Sequence, residues 1–382
     1  RLGYRPSIIS WLRNDFSWTT HYRSARNTNF LDRTIAGADT TLSLTRNATG
    51  QRDWQASFAL DPIRLADSWL GSQELGETPG MTQLRTALQA MRPLTLTYQD
   101  GVVSRFSRDP VNPGTGYQFG LGSLDDFRVI EGDTAATLTD RSSWTGSTGA
   151  TLPGGLGVTA AFQRVDAATL DTRSDRRVTQ RRWPDLRGQL PALGMPAFTG
   201  MRSVTVSSGI VRTERTTDFG GRGTQRRFDE ARDIPVSISI AWRGTLVTGY
   251  QAQFQDGRGT DPTGDTERVQ TTHRITVSSQ FLPPLGLADR LDRPIRLSLL
   301  ALYRSERDCR TTAARSECVA FVDQISRSLN LSMDTSVSGF EMGVQVSFDN
   351  RQSFVGQRTG STQLQLMLFG ELHFSAGTIP IR

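Results

Sequence analysis

The stretch FEMGVQVSF, residues 340–348, alternates at every step between an apolar side chain and a polar residue or glycine. Its apolar members are Phe340, Met342, Val344, Val346 and Phe348. Successive side chains on a β-strand point to opposite faces of the sheet, so this period of two predicts a strand with one apolar and one polar face.

The same alternation recurs along the whole chain. The final segment places Leu364, Leu366, Leu368, Leu372 and Phe374 on one face, and Gln363, Gln365, Glu371 and His373 on the other. Further copies occupy residues 54–60, 94–98, 156–162, 204–210, 236–243, 274–281, 297–303 and 329–337. The pattern predicts about fourteen strands and an all-β fold.

Alternation alone also fits a soluble β-sandwich, in which the apolar face packs on a second sheet. Three features favour a transmembrane barrel. Many segments run for about 10 residues, which is the length a tilted strand needs to cross a bilayer. The opposite faces carry Gln, Ser, Thr and Arg, which suit a water-filled lumen, and tight connections alternate with long ones. We therefore expect an antiparallel transmembrane β-barrel, or an arc of a very large barrel, with short periplasmic helices.

Composition excludes a helical membrane protein. Only 36% of the residues are hydrophobic, and no apolar run approaches the ~18 residues of a membrane helix. All 44 basic residues are arginine, and the formal net charge is +6. The arginine clusters alternate with acids and lack interleaved aromatic residues, so nucleic-acid binding is not indicated. Outer-membrane lipid head groups or water are the expected partners of these arginines.

The connections predict an orientation in the bacterial outer membrane. Residues 243–245 and 337–339 are tight turns, assigned to the periplasm, whereas the polar stretches 218–232, 257–267 and 309–318 are long loops assigned to the cell surface. Arg274 and Arg296 fall on the polar register, as a lipid-facing wall requires. Arg327 shares the apolar register and is therefore expected near the outer rim.

Three regions divide the chain. Residues 1–61 and 92–382 are barrel strands, the second set with extracellular loops. Residues 62–91 show the spacing of one or two amphipathic helices and are assigned to a periplasmic helical insertion that fills a turn or docks a partner. Residues 283–294 suggest a further short helical turn. The chain opens at Arg1 without an initiator methionine or a signal segment, which we interpret as a mature product or a piece of a longer protein.

Two cysteines, Cys309 and Cys318, lie nine positions apart in a polar stretch. Paired, they form a structural disulfide that staples one loop and indicates an oxidising compartment. Unpaired, they are two free thiols. No second Cys or His pair accompanies them, so the spacing does not suit a zinc site.

Catalytic signatures are missing from the sequence. His21, His273 and His373 stand singly on predicted strands and are interpreted as lumen lining rather than as ligands. The glycine-rich segment 114–120 lacks the strand–turn–helix context of a dinucleotide loop, and no nucleophile elbow is found. We expect no enzyme activity, no cofactor and no metal site.

Several segments, in order, resemble the SprA/Sov family of outer-membrane translocons. They are Leu2-Gly3-Tyr4-Arg5-Pro6 with Trp11, residues 92–98, residues 113–120, Trp183-Pro184-Asp185-Leu186, and residues 349–361 leading into the last strand. The resemblance covers most of this chain but only the C-terminal portion of such a protein. It implies one arc of a very large barrel that passes folded cargo proteins in type IX secretion and gliding motility. It also implies three kinds of partner: a shuttle barrel, a periplasmic plug and accessory lipoproteins.

Two other functions fit the same alternation. A small-solute porin or receptor barrel would close from about fourteen strands of its own. A structural surface protein or adhesin would be a soluble β-sandwich array without aromatic bands at two heights.

Overall fold

The computed structural model describes residues 1–6, 9–36, 39–70, 79–109, 111–171, 174–194, 200–220, 225–281, 293–312, 315–337 and 340–372. Strands dominate it, and four short helices interrupt them. Within these ranges, no helix has the length and apolar character needed to cross a membrane.

The strands follow one another along the chain and form one large sheet. In chain order they are β1 Leu2–Tyr4, β2 Leu12–Ala36, β3 Asp39–Leu60, β4 Met91–Asp109, β5 Val129–Ile130, β6 Asp133–Thr134, β7 Thr137–Thr151, β8 Gly157–Asp171, β9 Asp175–Gly194, β10 Met201–Gly220, β11 Gln225–Trp242, β12 Val247–Asp261, β13 Gly264–Phe281, β14 Ile295–Thr312, β15 Arg315–Val337, β16 Phe340–Ser353 and β17 Thr359–Leu372. β5 and β6 form a separate two-stranded ribbon, and the other 15 strands pair antiparallel in sequence order.

This up-and-down sheet confirms the all-β antiparallel fold expected from the alternation. It holds 15 strands in the described residues, against about fourteen predicted from the spacing of the motifs. No register in the described part of the chain joins β1 to β17, so these two strands are the edges of the sheet.

The strands continue well past the alternating segments. Within the stretches 218–232, 257–267 and 309–318, expected to be long loops, the described residues 218–220, 225–232, 257–261, 264–267, 309–312 and 315–318 instead belong to the paired ends of β10–β11, β12–β13 and β14–β15. The prediction of long loops was wrong at these three places. Where both faces of a hairpin meet water, apolar and polar residues need not alternate, so a polar strand has the composition of a loop.

Two helices, α1 (Pro62–Leu70) and α2 (Pro79–Ala90), connect β3 to β4. Asp61 caps the first of them, since its carboxylate accepts the backbone N–H groups of Ile63 and Arg64 at 3.1 and 3.3 Å. Ala66 is buried in the helix pair. Of the expected helical turn at 283–294, only residues 293 and 294 lie within the described ranges, and they are not helical.

The main buried cluster lies at one end of the sheet and involves the segment between β4 and β7. This segment, residues 111–136, is called the cap here; it contains the helices α3 (Thr115–Gln118) and α4 (Leu124–Arg128) and the β5–β6 ribbon. The cluster consists of Ala48, Val102, Phe106, Val111, Tyr117, Phe127, Ile130, Ala135 and Leu138. The cap thus buries apolar side chains of β3, β4 and β7 that would otherwise face solvent.

Candidate functional site

One face of the sheet carries continuous rows of apolar side chains. In one row, Val277, Leu299, Leu331, Val346 and Leu366 are directly paired across β13 to β17. A second row follows the same strands through Ile275, Ala301, Leu329, Phe348 and Leu364. These rows form what we call the apolar band. Its side chains are half-buried or exposed in the described structure, up to 72% for Leu364, so no second layer of protein covers them there.

On the same face, the apolar band continues on β3 and β4 through the paired residues Phe58 and Leu96, and it ends there in aromatic residues on the side of the cap. Trp54, Tyr98 and Trp144 stand on neighbouring strands, with ring centroids 4.9 and 4.4 Å apart. The indole N–H of Trp54 donates a hydrogen bond of 3.1 Å to Asp100. Each ring therefore adjoins both apolar and polar groups, as aromatic residues do at a boundary between oil and water.

A second aromatic group ends the band on β12 to β14. Its central residue is His273, whose Nδ1 lies 2.9 Å from the hydroxyl of Tyr250 and whose ring is 5.8 Å from that of Tyr303. His273 was expected to line the polar face, but it shares the apolar register of Ile275, so that prediction was wrong. His21 stands opposite Gln51 on the polar face, and His373 lies outside the described residues.

Arg327 takes its predicted place at the end of the apolar band. It is paired with Tyr303 on one side and Asn350 on the other, one position beyond Leu329 toward the disulfide end of the strands. A lipid-facing arginine is costly at the centre of a bilayer but tolerated near its surface. Its position therefore agrees with the expected lipid-facing register.

The opposite face of the sheet is polar, and its side chains bond to one another. Gln55 donates to the hydroxyl of Ser57 at 3.0 Å, and Ser57 lies 3.2 Å from the hydroxyl of Thr97. Gln99 donates to Gln55 at 3.1 Å. Side chains of this kind hydrogen-bond to water as well as to one another, so this face is suited to an aqueous environment.

The polar face also carries a groove of about 530 Å³ near the turn that joins β7 to β8. Arg92, Arg187, Gln189, Ser207 and Ser237 are among its lining residues. Arg187 is already paired with Asp185 at 3.1 Å. The groove is open and polar, and it holds no acid–base or nucleophile pair of the kind that catalysis requires.

Cys309 and Cys318 are joined by a disulfide with their Cα atoms 5.4 Å apart. The bond links β14 to β15 close to the end of their hairpin. Glu267 on β13 comes near both sulfurs, which makes a group of three potential metal ligands. Because the sulfurs are bonded to each other, they do not offer the thiolates that a metal site needs.

Removing this disulfide is expected to loosen the end of the β14–β15 hairpin. For a loop of this size the chain-entropy model assigns a cross-link about 2–3 kcal/mol. The double variant Cys309→Ser/Cys318→Ser should therefore show faster amide hydrogen exchange over residues 305–325, and unchanged exchange at the apolar centre of the same strands. Equal exchange in the variant and the parent would contradict a structural role for the bond.

Ion pairs hold the hairpin ends together. Arg268 binds Asp308 with three contacts of 2.7 to 3.0 Å, and the Asp308 side chain is only 5% exposed. The hydrogen bonds that Arg268 donates to the Asp308 carboxylate raise the pKa of its guanidinium. At the neighbouring hairpin end, Arg310 contacts Asp261 at 2.8 Å. The Arg268–Asp308 pair joins the adjacent strands β13 and β14, and the Arg310–Asp261 pair connects β14 to the end of β12 across the β12–β13 hairpin.

Acid is expected to loosen the β12–β13 hairpin end. The side chain and backbone N–H of Thr263, and then Arg310, bind the Asp261 carboxylate and lower its pKa. Because the pKa of Asp261 is lower in the folded protein than in the unfolded chain, the ionised carboxylate stabilises the hairpin at every pH above the unfolded-state pKa of about 3.9. This stabilisation is lost as the pH falls through the folded-state pKa. The protection of the amides at residues 259–265, measured against the intrinsic exchange rate at each pH, should fall below about pH 4. Asp261→Asn should show the same loss of protection already at neutral pH. Equal protection in the variant and the parent at neutral pH would contradict the role of the Asp261 carboxylate in stabilising the hairpin end.

The cap is the feature that the sequence did not predict. Its central contact is Arg52 on β3, which donates to the carbonyl of Gly122 at 2.9 Å and lies 5.6 Å from the ring centroid of Phe127. The hydroxyl of Tyr117 lies 2.7 Å from that of Ser104. Burial raises the pKa of Tyr117, so this phenol stays protonated. The only sequence signal was the glycine-rich segment 114–120.

Comparison with known proteins assigns the chain to no family. No protein-family model and no curated protein matches the chain. The alcaligin outer-membrane receptor FauA of Bordetella pertussis is similar at 10% identity and a TM-score of 0.36, over 94% of this chain and 63% of that one. The FpvAI–pyocin S2 complex is similar at 8% identity and a TM-score of 0.35, over 96% and 59%. The chain thus spans about three fifths of the length of each solved structure, and at these scores the likeness extends no further than the fold.

Proposed function

We propose that this chain is a section of an outer-membrane β-barrel wall whose polar face lines a hydrated passage. The observation that carries the proposal is the division of one 15-stranded sheet into an exposed apolar band and a hydrogen-bonded polar face. In water, an uncovered band of this size would drive aggregation. Against acyl chains, the same band is in its preferred environment.

The dimensions of the band suit a bilayer. On β16 it extends from Phe340 to Phe348, eight residue steps, which correspond to about 27 Å of strand. The lipid-facing band of outer-membrane barrels is about 25 Å tall, and strand tilt shortens the projected height. The aromatic groups around Tyr98 and His273 then fall at the membrane surface, where the ring and the polar tip are both satisfied.

The proposed orientation places the disulfide at the cell surface. The Cys309–Cys318 bond, the cap and the long hairpins lie at one end of the strands, and the α1–α2 pair lies at the other. Disulfides persist outside the cytosol, and the longer connections of outer-membrane barrels face outward. Protease added to intact cells should cleave the hairpin ends and leave the α1–α2 region uncut.

Membrane location is tested by fractionating cells that produce the full-length protein. We expect the protein in the outer-membrane fraction, resistant to high salt and alkali and released by detergent. Recovery from the soluble periplasm or the medium as a detergent-free particle would overturn the proposal.

The first candidate for the passage is a small-solute pore or a receptor barrel. The polar face supports it, because hydrogen-bonded glutamine, serine and threonine side chains hydrate a lumen without binding apolar solutes. Barrels of 16–18 strands already leave an aqueous channel. Proteoliposomes holding the full-length protein should swell in small sugars, and failure to swell would count against an open solute pore.

The second candidate is the protein-secretion role implied by the resemblance to the SprA/Sov translocons. The edges β1 and β17, which are not paired with each other in the described residues, are consistent with it, because a sheet edge in lipid must be paired and further strands would pair it in a larger wall. A longer wall encloses a wider lumen, wide enough for folded cargo. On this candidate, the cargo proteins, the shuttle barrel, the plug and the accessory lipoproteins are the partners. Normal export of surface proteins after deletion of the gene would overturn it.

A further inference from the structure

The cap lies on the same face of the sheet as the apolar band. Its buried residues pack against Val102, Ser104 and Phe106 of β4, which share a register with Leu94, Leu96 and Tyr98. On β3 the ring of Tyr117 lies against Gly50, where an added Cβ would come within 2.5 Å of it. In the proposed wall this face is the outer one. The cap therefore stands outside the barrel, not inside its lumen.

The bend of the cap at Gly120 lies close to the aromatic residues at the edge of the apolar band. Gly120 packs against Thr20 and Arg52, so closely that an added Cβ would lie 2.6 Å from the Thr20 methyl group. On their strands, Thr20 and Arg52 each stand one alternate position beyond Trp18 and Trp54, which are paired with each other. The bend at Gly120 is thus at the level directly above the aromatic residues.

The two residues that flank this bend are large, apolar and exposed. Phe119 is 61% and Leu121 is 73% exposed, whereas Gly120 between them is buried. Other aromatic side chains of the cap, Tyr117 and Phe127, are buried between the cap and the sheet. Phe119 and Leu121 differ from them in facing away from this buried cluster. Its exposed acidic residues, which include Asp125, follow later in its sequence, and the segment 119–121 carries no charge.

We propose that Phe119 and Leu121 insert into the outer leaflet beside the barrel, at the boundary between head groups and acyl chains. The occupant of this surface is lipid, because the bend continues the apolar band upward past Trp18 and Trp54 on the lipid side of the wall. Apolar side chains at such a boundary enter it by about 5–10 Å. The contact fixes the height of the wall in the membrane and holds the cap against it.

This inference rests on the proposed membrane wall, and three labelled variants of the full-length protein separate the two. Leu121→Cys probes the bend, Leu366→Cys probes the centre of the apolar band, and Thr134→Cys is a matched control on the exposed ribbon of the cap. Each carries a polarity-sensitive fluorophore in vesicles that contain nitroxide lipids, quenching either near the head group or near the chain end. Protease resistance of the cap is checked first in every variant.

We expect the label at position 121 to shift to the blue and to be quenched most by the nitroxide near the head group. The label at 366 should be quenched most by the deep nitroxide, and the label at 134 by neither. Quenching of the label at 366 without quenching of the label at 121 would overturn the inference but would still support the proposed membrane wall. An apolar signal at 121 that neither nitroxide quenches would mean a protein occupant, and would overturn it too. Absence of quenching at 366 would overturn the wall itself.

Discussion

Leu331→Arg is expected to lower the free energy of unfolding in lipid by about 2–4 kcal/mol, the cost of arginine on the lipid face near the bilayer centre. Leu331 lies in the middle of the apolar band, paired with Leu299 and Val346. The free energy of unfolding falls because the guanidinium must either lose its hydration or carry water into the bilayer. Reversible denaturant unfolding of the full-length protein in vesicles, followed by tryptophan fluorescence, measures it.

The adjacent variant Ser332→Arg is the matched control. Ser332 stands on the polar face between Ser298 and Gln345, so the same side chain would enter a hydrated lumen there. It should cost well under 1 kcal/mol, as surface substitutions do. Equal losses for the two neighbours would contradict the division of the sheet into a lipid face and a water face. In a soluble protein both variants would be mild, since Leu331 is already 37% exposed.

Phe127→Ala is expected to detach the cap from the sheet. Phe127 is fully buried, with its ring 5.0 Å from that of Tyr117 and next to the Arg52 guanidinium. Deleting a buried phenylalanine side chain costs about 3–5 kcal/mol, because apolar contacts are lost and a cavity remains. The cap is a small unit held by this one cluster, so the loss should open it locally. Hydrogen exchange over residues 111–136 should accelerate strongly.

Leu124→Ala is the control, on the same helix α4 but 42% exposed. It should leave the exchange of the cap nearly unchanged. The strands β12 to β17 should keep their protection in both variants, because they do not contact the cap. Similar exchange in Phe127→Ala and Leu124→Ala would contradict the view that the buried cluster holds the cap in place.

The sequence predicts this fold well wherever the two faces meet different environments. On β16, Val344 and Val346 alternate with Gln345 and Ser347, and there the apolar residues share one face of the sheet and the polar residues the other. At residues 225–232 and 309–312 both faces are largely polar, so the period disappears although these residues belong to strands. The helices between residues 62 and 90 were visible because a different period, close to 3.6, replaces the period of two.

The cap could not be predicted from spacing. Its cluster joins Tyr117 to Ser104 and Phe127 to Arg52, residues that lie far apart or on different elements, and no local repeat connects them. His273 was misplaced for a related reason. A lone histidine carries no facial preference of its own, and only its register with Ile275 and its contact with Tyr250 place it on the apolar face.

The alternation of lipid contact along a single strand tests the central claim most directly. Nitroxide side chains placed one at a time at positions 328–333 of β15 report collisions with oxygen, which concentrates in acyl chains, and with a water-soluble nickel complex. We predict oxygen maxima at positions 329, 331 and 333 and nickel maxima at 328, 330 and 332. Collision rates without a period of two, or with nickel access at all six positions, would contradict a wall with lipid on one side and water on the other.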